Sequence, residues 1–140
     1  MVFYRRVLTE DEANDRFDHM LAVCEIVPFG KQPVVELSSG DIVGYTGVDY
    51  IDLDGRTWLE WGYRLARQSR GLGYATEASQ ALLRKAHQVY AGELLAIIDP
   101  ENFASQNVCR KLGFTFWKQG LVIGEMRNLY RLMAGLGLRD

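Results

Sequence analysis

Apolar residues recur along this chain with two different spacings. From Glu10 to Cys24 they fall at Phe17, Met20, Leu21 and Cys24, one face of a helix. Thr9-Glu10-Asp11-Glu12 opens that helix as a capping box. The Thr9 hydroxyl takes a first-turn N–H and Glu12 reaches back. Pro28 to Pro33 is a loop. Residues 34–37 and 42–49 read as strands joined by the turn Ser38-Ser39-Gly40-Asp41. Asp54-Gly55 signals a hairpin, with 57–66 as its returning strand.

The helical spacing then returns over residues 74–90, with Ala75, Ala78, Leu82, Ala86 and Val89 inward. Residues 94–98 are wholly apolar, as a strand covered on both faces should be. Asp99-Pro100-Glu101-Asn102 breaks that run. A helix over 104–112 stops at Gly113, which suits a left-handed cap. A strand begins at Phe114-Thr115-Phe116, and 121–132 holds another. With a short first strand at 4–8, the order is β-α-β-β-β-α-β-α-β-β. That is a mixed α/β sheet with helices on its faces, one domain over 1–140. The glycine-rich tail, 134–140, is expected to be loose.

Composition narrows the function classes. Hydrophobic residues make up 48% and charged residues 24% of the 140, an ordinary soluble balance. The 16 basic residues are scattered among 18 acids, for a net charge of −2, which argues against a nucleic-acid surface. No apolar run approaches the roughly 20 residues of a membrane span. Met1 to Arg6 lacks the apolar core of a signal peptide, so the cytoplasm is expected. Cys24 and Cys109 read as buried free thiols on helix faces. No Cys/His spacing suggests a metal. His19 and His87 read as helix-surface or boundary residues with no chemistry.

The most telling stretch is Gln68-Ser69-Arg70-Gly71-Leu72-Gly73-Tyr74-Ala75-Thr76, between a strand and a helix. Two glycines let the backbone turn tightly. Consecutive N–H groups and the first helical turn can then face one anion, such as a pyrophosphate. The stretch lacks the Lys-[Ser/Thr] of a P-loop and the third glycine of a dinucleotide fingerprint, which disfavours a nucleotide-binding regulator.

Leu59-Glu60-Trp61-Gly62-Tyr63-Arg64-Leu65-Ala66, the turn Gln68-x-x-Gly71-x-Gly73, and Tyr74-Ala75-Thr76-Glu77-Ala78 together resemble the acyl-CoA-binding core of the GNAT N-acetyltransferases. Asp99-Pro100-Glu101-Asn102-x-x-Ser105-x-x-Val108-x-x-Lys111-Leu112-Gly113-Phe114 resembles the second half of that core, about 25 residues on. The resemblance covers residues 40–132. It is closest to the branch of the ribosomal-protein N-terminal acetyltransferases (RimJ/RimL-like). It implies a central, splayed, mostly antiparallel twisted sheet flanked by helices. It also implies acetyl-CoA as cosubstrate, with no metal, and direct transfer to an amine in a ternary complex. The acceptor would be a protein N-terminus or a small-molecule amine. The alternative is a GNAT-fold module that binds acyl-CoA without catalysis. One departure stands out. Only residues 25–33 separate the first helix from the next strand, where this branch usually carries more chain. The acceptor cleft is then more open, or completed by another subunit in a homodimer.

The resemblance assigns roles residue by residue. Arg70, Gly71, Leu72, Gly73, Tyr74, Ala75 and Thr76 would hold the pyrophosphate, with Gln68 at its edge. Tyr63, Arg64 and Leu65 would offer main chain to pantetheine beside a splayed 94–98 strand. Asn102 reads either as a helix N-cap or as a contact to the pantetheine arm. Asn107 and Lys111 lie toward the adenine end, and Lys111 fits a solvated helix face equally well. Glu60 is the candidate general base, helped by burial beside Trp58 and Trp61. Ser105 is the candidate proton donor to the leaving sulfur, or a helix-start cap. Tyr130 is the alternative donor.

Overall fold

The structure, a computed structural model, describes residues 8–133. Helix α1 (Glu10–Ile26) begins as its sequence dictates. Glu12 N donates to Thr9 Oγ1 at 3.2 Å and Thr9 N donates to Glu12 Oε2 at 2.9 Å. Strands β1 (Gln32–Val35), β2 (Ile42–Leu53) and β3 (Arg56–Leu65) follow. The β2–β3 turn is left-handed at both Asp54 (φ 53°) and Gly55 (φ 73°), the geometry that matches strand twist. A 3₁₀ turn, Arg67–Ser69, leads into α2 (Tyr74–Val89), β4 (Leu94–Ile98), α3 (Phe103–Lys111), β5 (Thr115–Val122) and β6 (Glu125–Leu132).

The six strands form one sheet in the order β1-β2-β3-β4-β6-β5. β2 and β3 pair antiparallel along their length, from Gly44↔Leu65 to Leu53↔Arg56. β3 and β4 are parallel and pair only at Leu59↔Leu94 and Glu60↔Leu95. Beyond Glu60 the two strands part, which is the expected splay. β4 is held on its other side by β6, from Leu94↔Leu132 to Ile98↔Asn128.

Period-two alternation builds a core on each face. Val48, Leu59, Trp61, Leu94, Ala96 and Ile98 pack with Leu82, Leu83 and Ala86 of α2, Cys109 of α3 and its C-cap Leu112. Trp58, Leu95, Ile97 and Leu129 fill the opposite face. Thr46 Oγ1 is a buried polar hub. It lies 2.8 Å from Ser79 Oγ and accepts from Trp61 Nε1 at 3.2 Å, pinning α2 to β2 and β3.

Several expectations are corrected. The apolar face Phe17, Met20, Leu21 and Cys24 is not the buried face of α1, in which only Val23 is buried. Phe17 is 56% and Leu21 50% exposed. Val89 also faces outward, and Ser79 and Leu83 take its place in the α2 stripe. Cys109 is buried, and burial pushes its thiol up to about 12. Cys24 is only half-buried, and its Sγ donates to the Lys31 carbonyl at 3.2 Å. β1 starts two residues before its expected position. Pro33 is tolerated there because β1 is an edge strand, and Leu37 lies outside the strand, fully exposed. The expected first strand, apart from Leu8, and the tail lie outside the described residues. Leu8 belongs to no strand. Among the described residues, no helix is long and apolar enough to cross a membrane.

Candidate active site

Gly71 (φ 76°) and Gly73 (φ 83°) both adopt the left-handed backbone that places Tyr74 at the start of α2. Gly73 is the N-cap and offers no side-chain acceptor. Among the described residues, no backbone carbonyl outside the helix takes the N–H groups of Gly71 to Thr76. The first helical turn has no preceding carbonyls for them. A Cβ at either glycine would meet nothing within 4 Å, so the front of the turn is open. This arrangement fits a pyrophosphate. Arg70 is exposed, but its Nε donates to the Leu65 carbonyl at 3.2 Å, so its fork also braces the turn against β3. Gln68 and Leu72 are exposed beside it. Ala75 is buried against Val43 and Leu65. Thr76 is half-buried. Tyr74 donates its hydroxyl to Glu36 Oε2 at 2.5 Å, tying the β1–β2 turn to the helix start; that bond raises the Tyr74 pKa.

Tyr63, Arg64 and Leu65 lie on the part of β3 that β4 has left. Arg64 is exposed and Leu65 buried. The Tyr63 hydroxyl lies 3.0 Å from Ser105 Oγ. Ser105 N donates to Asn102 Oδ1 at 3.1 Å, so Asn102 acts as the N-cap of α3. The structure therefore brings Tyr63, Asn102 and Ser105 together across the gap. Asn107 and Lys111 are exposed further along α3, and Asn107 Oδ1 accepts from Arg110 Nη2 at 2.8 Å. Tyr130 is buried opposite Ala96, edge-on to Phe116 at 5.6 Å between ring centroids. Gln106, not singled out by sequence, is buried and donates to the carbonyls of Asp99 and Pro100, fixing the β4–α3 connection.

Glu60 is the last β3 residue paired to β4. It is half-buried. Burial raises its carboxyl above the ordinary range, the Lys31 ammonium pulls it down, and the Asp49 carboxylate pushes it up. The expected pair of tryptophan neighbours is corrected: Trp58 shares its face, while Trp61 belongs to the opposite core. The same-face partner across the strands is Asp49. Asp49 Oδ2 accepts from His19 Nε2 at 2.6 Å.

Asp49 also walls a cleft of about 490 Å³ between α1 and the sheet. Glu12, Arg16 and His19 line it from α1, with Lys31, Tyr45 and Asp49 opposite. Sequence reasoning missed these residues. The available signal was the polar stripe Glu12-Arg16-His19, spaced four and three residues apart on one helix face. No group of three or more described His, Cys, Asp or Glu residues could hold a metal ion.

The comparisons with known proteins agree with this geometry. YkkB, an uncharacterized protein of Bacillus subtilis (strain 168), is 36% identical over 97 residues, which is 64% of this chain and 56% of YkkB. The match thus spans little more than half of that relative's length. A protein from Bordetella pertussis assigned to the GNAT acetyltransferase family superposes with a TM-score of 0.80 at 24% identity, covering 89% of this chain and 77% of its own. Salmonella typhimurium yncA, solved with its cofactor acetyl-CoA, gives 0.69 at 20% identity, covering 99% and 79%. At these identities the structures establish the fold. The profile of the acetyltransferase (GNAT) domain matches residues 1–115, and the chain belongs to that family.

Proposed function

We propose that this chain is an acetyl-CoA-dependent N-acetyltransferase that acts on an amine, either a protein N-terminus or a small molecule. The observation that carries the reading is the parting of β3 and β4 just after Glu60, with the open Gly71–Gly73 turn at the far end of β3. A long, thin cofactor with an anionic middle fits between them, and family membership supports the same choice. When bound, acetyl-CoA supplies an acetyl group activated as a thioester.

The protein's own residues have three tasks. The N–H groups of the Gly71–Thr76 turn hold the pyrophosphate, with Gln68 and Arg70 at its edge. Glu60 takes the proton of the acceptor ammonium, because only the free amine has a lone pair. Its raised pKa makes it a better base than an ordinary carboxylate. Ser105 Oγ, hydrogen-bonded to Tyr63, gives a proton to the leaving sulfur. The cytoplasm suits two free thiols.

The test is release of free thiol from acetyl-CoA, run against a panel of amines and N-terminal peptides. Turnover with at least one amine is expected. Tight acetyl-CoA binding with no thiol release for any acceptor would instead make the chain a non-catalytic acyl-CoA binder.

A further inference from the structure

Of the residues of α1, Val23 alone is buried, and it packs into the main core. The helix's polar stripe, Glu12, Arg16 and His19, faces the sheet across the cleft, while Phe17 and Leu21 face outward. A polar inner face has a purpose if the space beneath it receives a polar ligand. The pairings within that space are uneven. Asp49 is engaged by His19, and Glu12 by the Thr9 backbone. The Lys31 ammonium has no hydrogen bond or ion pair among the described residues and lies 5.7 Å from the Tyr45 ring centroid. Its root is rigid. The Gly30–Lys31 backbone crosses so close over Gly47 that a Cβ there would come within 2.4 Å of Lys31 Cα. The Lys31 carbonyl is held by Cys24 Sγ.

Building on the acetyltransferase reading, we infer that the acceptor is a small zwitterionic amine of the α-amino-acid type, whose carboxylate is received by Lys31 while its amine meets Glu60. An acceptor arrives as an ammonium. Lys31 shares the cleft with Asp49, the cross-strand partner of Glu60, so its ammonium also repels a bare ammonium on its way to Glu60. A carboxylate beside the reacting amine turns that repulsion into a charge-assisted hydrogen bond. A polyamine would bring a second cation that Glu12, Asp15 or Asp49 could meet, but it would leave Lys31 without a partner. A peptide N-terminus has a neutral amide where the carboxylate would be, and leaves Lys31 without a partner. Both fit the wall less well.

The experiment compares kcat/KM for thiol release with α-amino acids, their amides and their decarboxylated amines. Free amino acids should be preferred by about 10–100-fold, the worth of one charge-assisted bond. Lys31→Met should remove the preference mainly through KM, and Lys31→Arg should restore it. Acetyl-CoA affinity by calorimetry and the circular dichroism spectrum should stay as in the wild type. Equal or better use of the amides, the decarboxylated amines or the N-terminal peptides overturns the inference, and so does a preference that survives Lys31→Met. In either case acetyl transfer itself would stand. Absence of thiol release with every amine overturns the transferase reading and this one together.

Discussion

The Tyr63 hydroxyl and Ser105 Oγ, 3.0 Å apart, join two elements that the sheet itself does not connect there. Tyr63 lies on β3 past the point where β4 leaves it, and Ser105 lies in the first turn of α3, the helix after β4. The bond fixes where a serine hydroxyl stands relative to the open β3 edge. Burial raises the Tyr63 pKa, with the Ser105 bond acting in the opposite direction, so Tyr63 keeps its proton at neutral pH.

That placement makes Ser105 testable apart from its capping neighbour. Ser105→Ala keeps the backbone N–H that Asn102 caps, and so keeps the start of α3. Turnover should fall while acetyl-CoA affinity stays nearly unchanged. Tyr63→Phe should cause a smaller fall, because it removes the partner and not the donor. A Ser105→Ala enzyme that keeps its rate and loses only thermal stability would return the residue to a structural role.

Gly73→Val should abolish binding of CoA, read by calorimetry, in a protein that still folds. Empty space surrounds its Cβ position, so the obstacle is the left-handed backbone. A β-branched residue there costs on the order of 1–2 kcal/mol or rotates the turn, and rotation turns the N–H groups away from a common point. Unchanged CoA affinity in a folded variant would show that the pyrophosphate binds elsewhere.

The limits of the sequence can be traced to particular residues. The Thr9 cap, the Asp54-Gly55 turn and the apolar run Leu94–Ile98 were legible because each depends on local chemistry or on full burial. The splay was legible only through family resemblance. The buried side of α1 is not legible, because Phe17, Met20, Leu21 and Cys24 satisfy the spacing of a buried stripe and spacing says nothing about which stripe meets the sheet. The His19–Asp49 contact and the position of Lys31 over Gly47 arise from residues 30 and 16 positions apart, so no local pattern announces them. Glu60 stands out within its strand motif, but its cross-strand neighbour Asp49 depends on strand register.

The Thr46 hub predicts a stability change without a functional one. Thr46→Val leaves Trp61 Nε1 and Ser79 Oγ without their shared partner inside the core. Unfolding free energy in urea should fall by about 1–3 kcal/mol, the cost of orphaned buried polar groups. CoA affinity should hold, since the network lies behind α2 and not at the Gly71–Gly73 turn. A loss of affinity without a loss of stability would contradict this division.

Glu60→Gln separates catalysis from stability in opposite directions. In the unfolded chain the Glu60 carboxyl titrates near ~4.3. In the folded chain burial raises it. Between those two values the folded protein holds a proton that the unfolded chain has released, so stability falls as pH rises through that window. Above it the charged carboxylate remains a cost to the fold. Glutamine keeps the shape without the charge, so the variant should melt above the wild type at pH 7, and the difference should vanish below pH ~4. Turnover should move the other way, falling about 10²–10⁴-fold, the usual range for a lost general base. The deficit should shrink toward high pH, where more of the acceptor arrives already deprotonated. The wild-type rate should lose activity on the acid side at a pH above the ordinary carboxylate range, because protonated Glu60 cannot accept the ammonium proton. A residue that only positioned the acceptor would show a deficit equal at all pH values, and a purely structural one would lower the melting temperature. Wild-type turnover from pH 6 to 9 in the Glu60→Gln enzyme would falsify the assignment and leave another group, or bulk water, to take the proton.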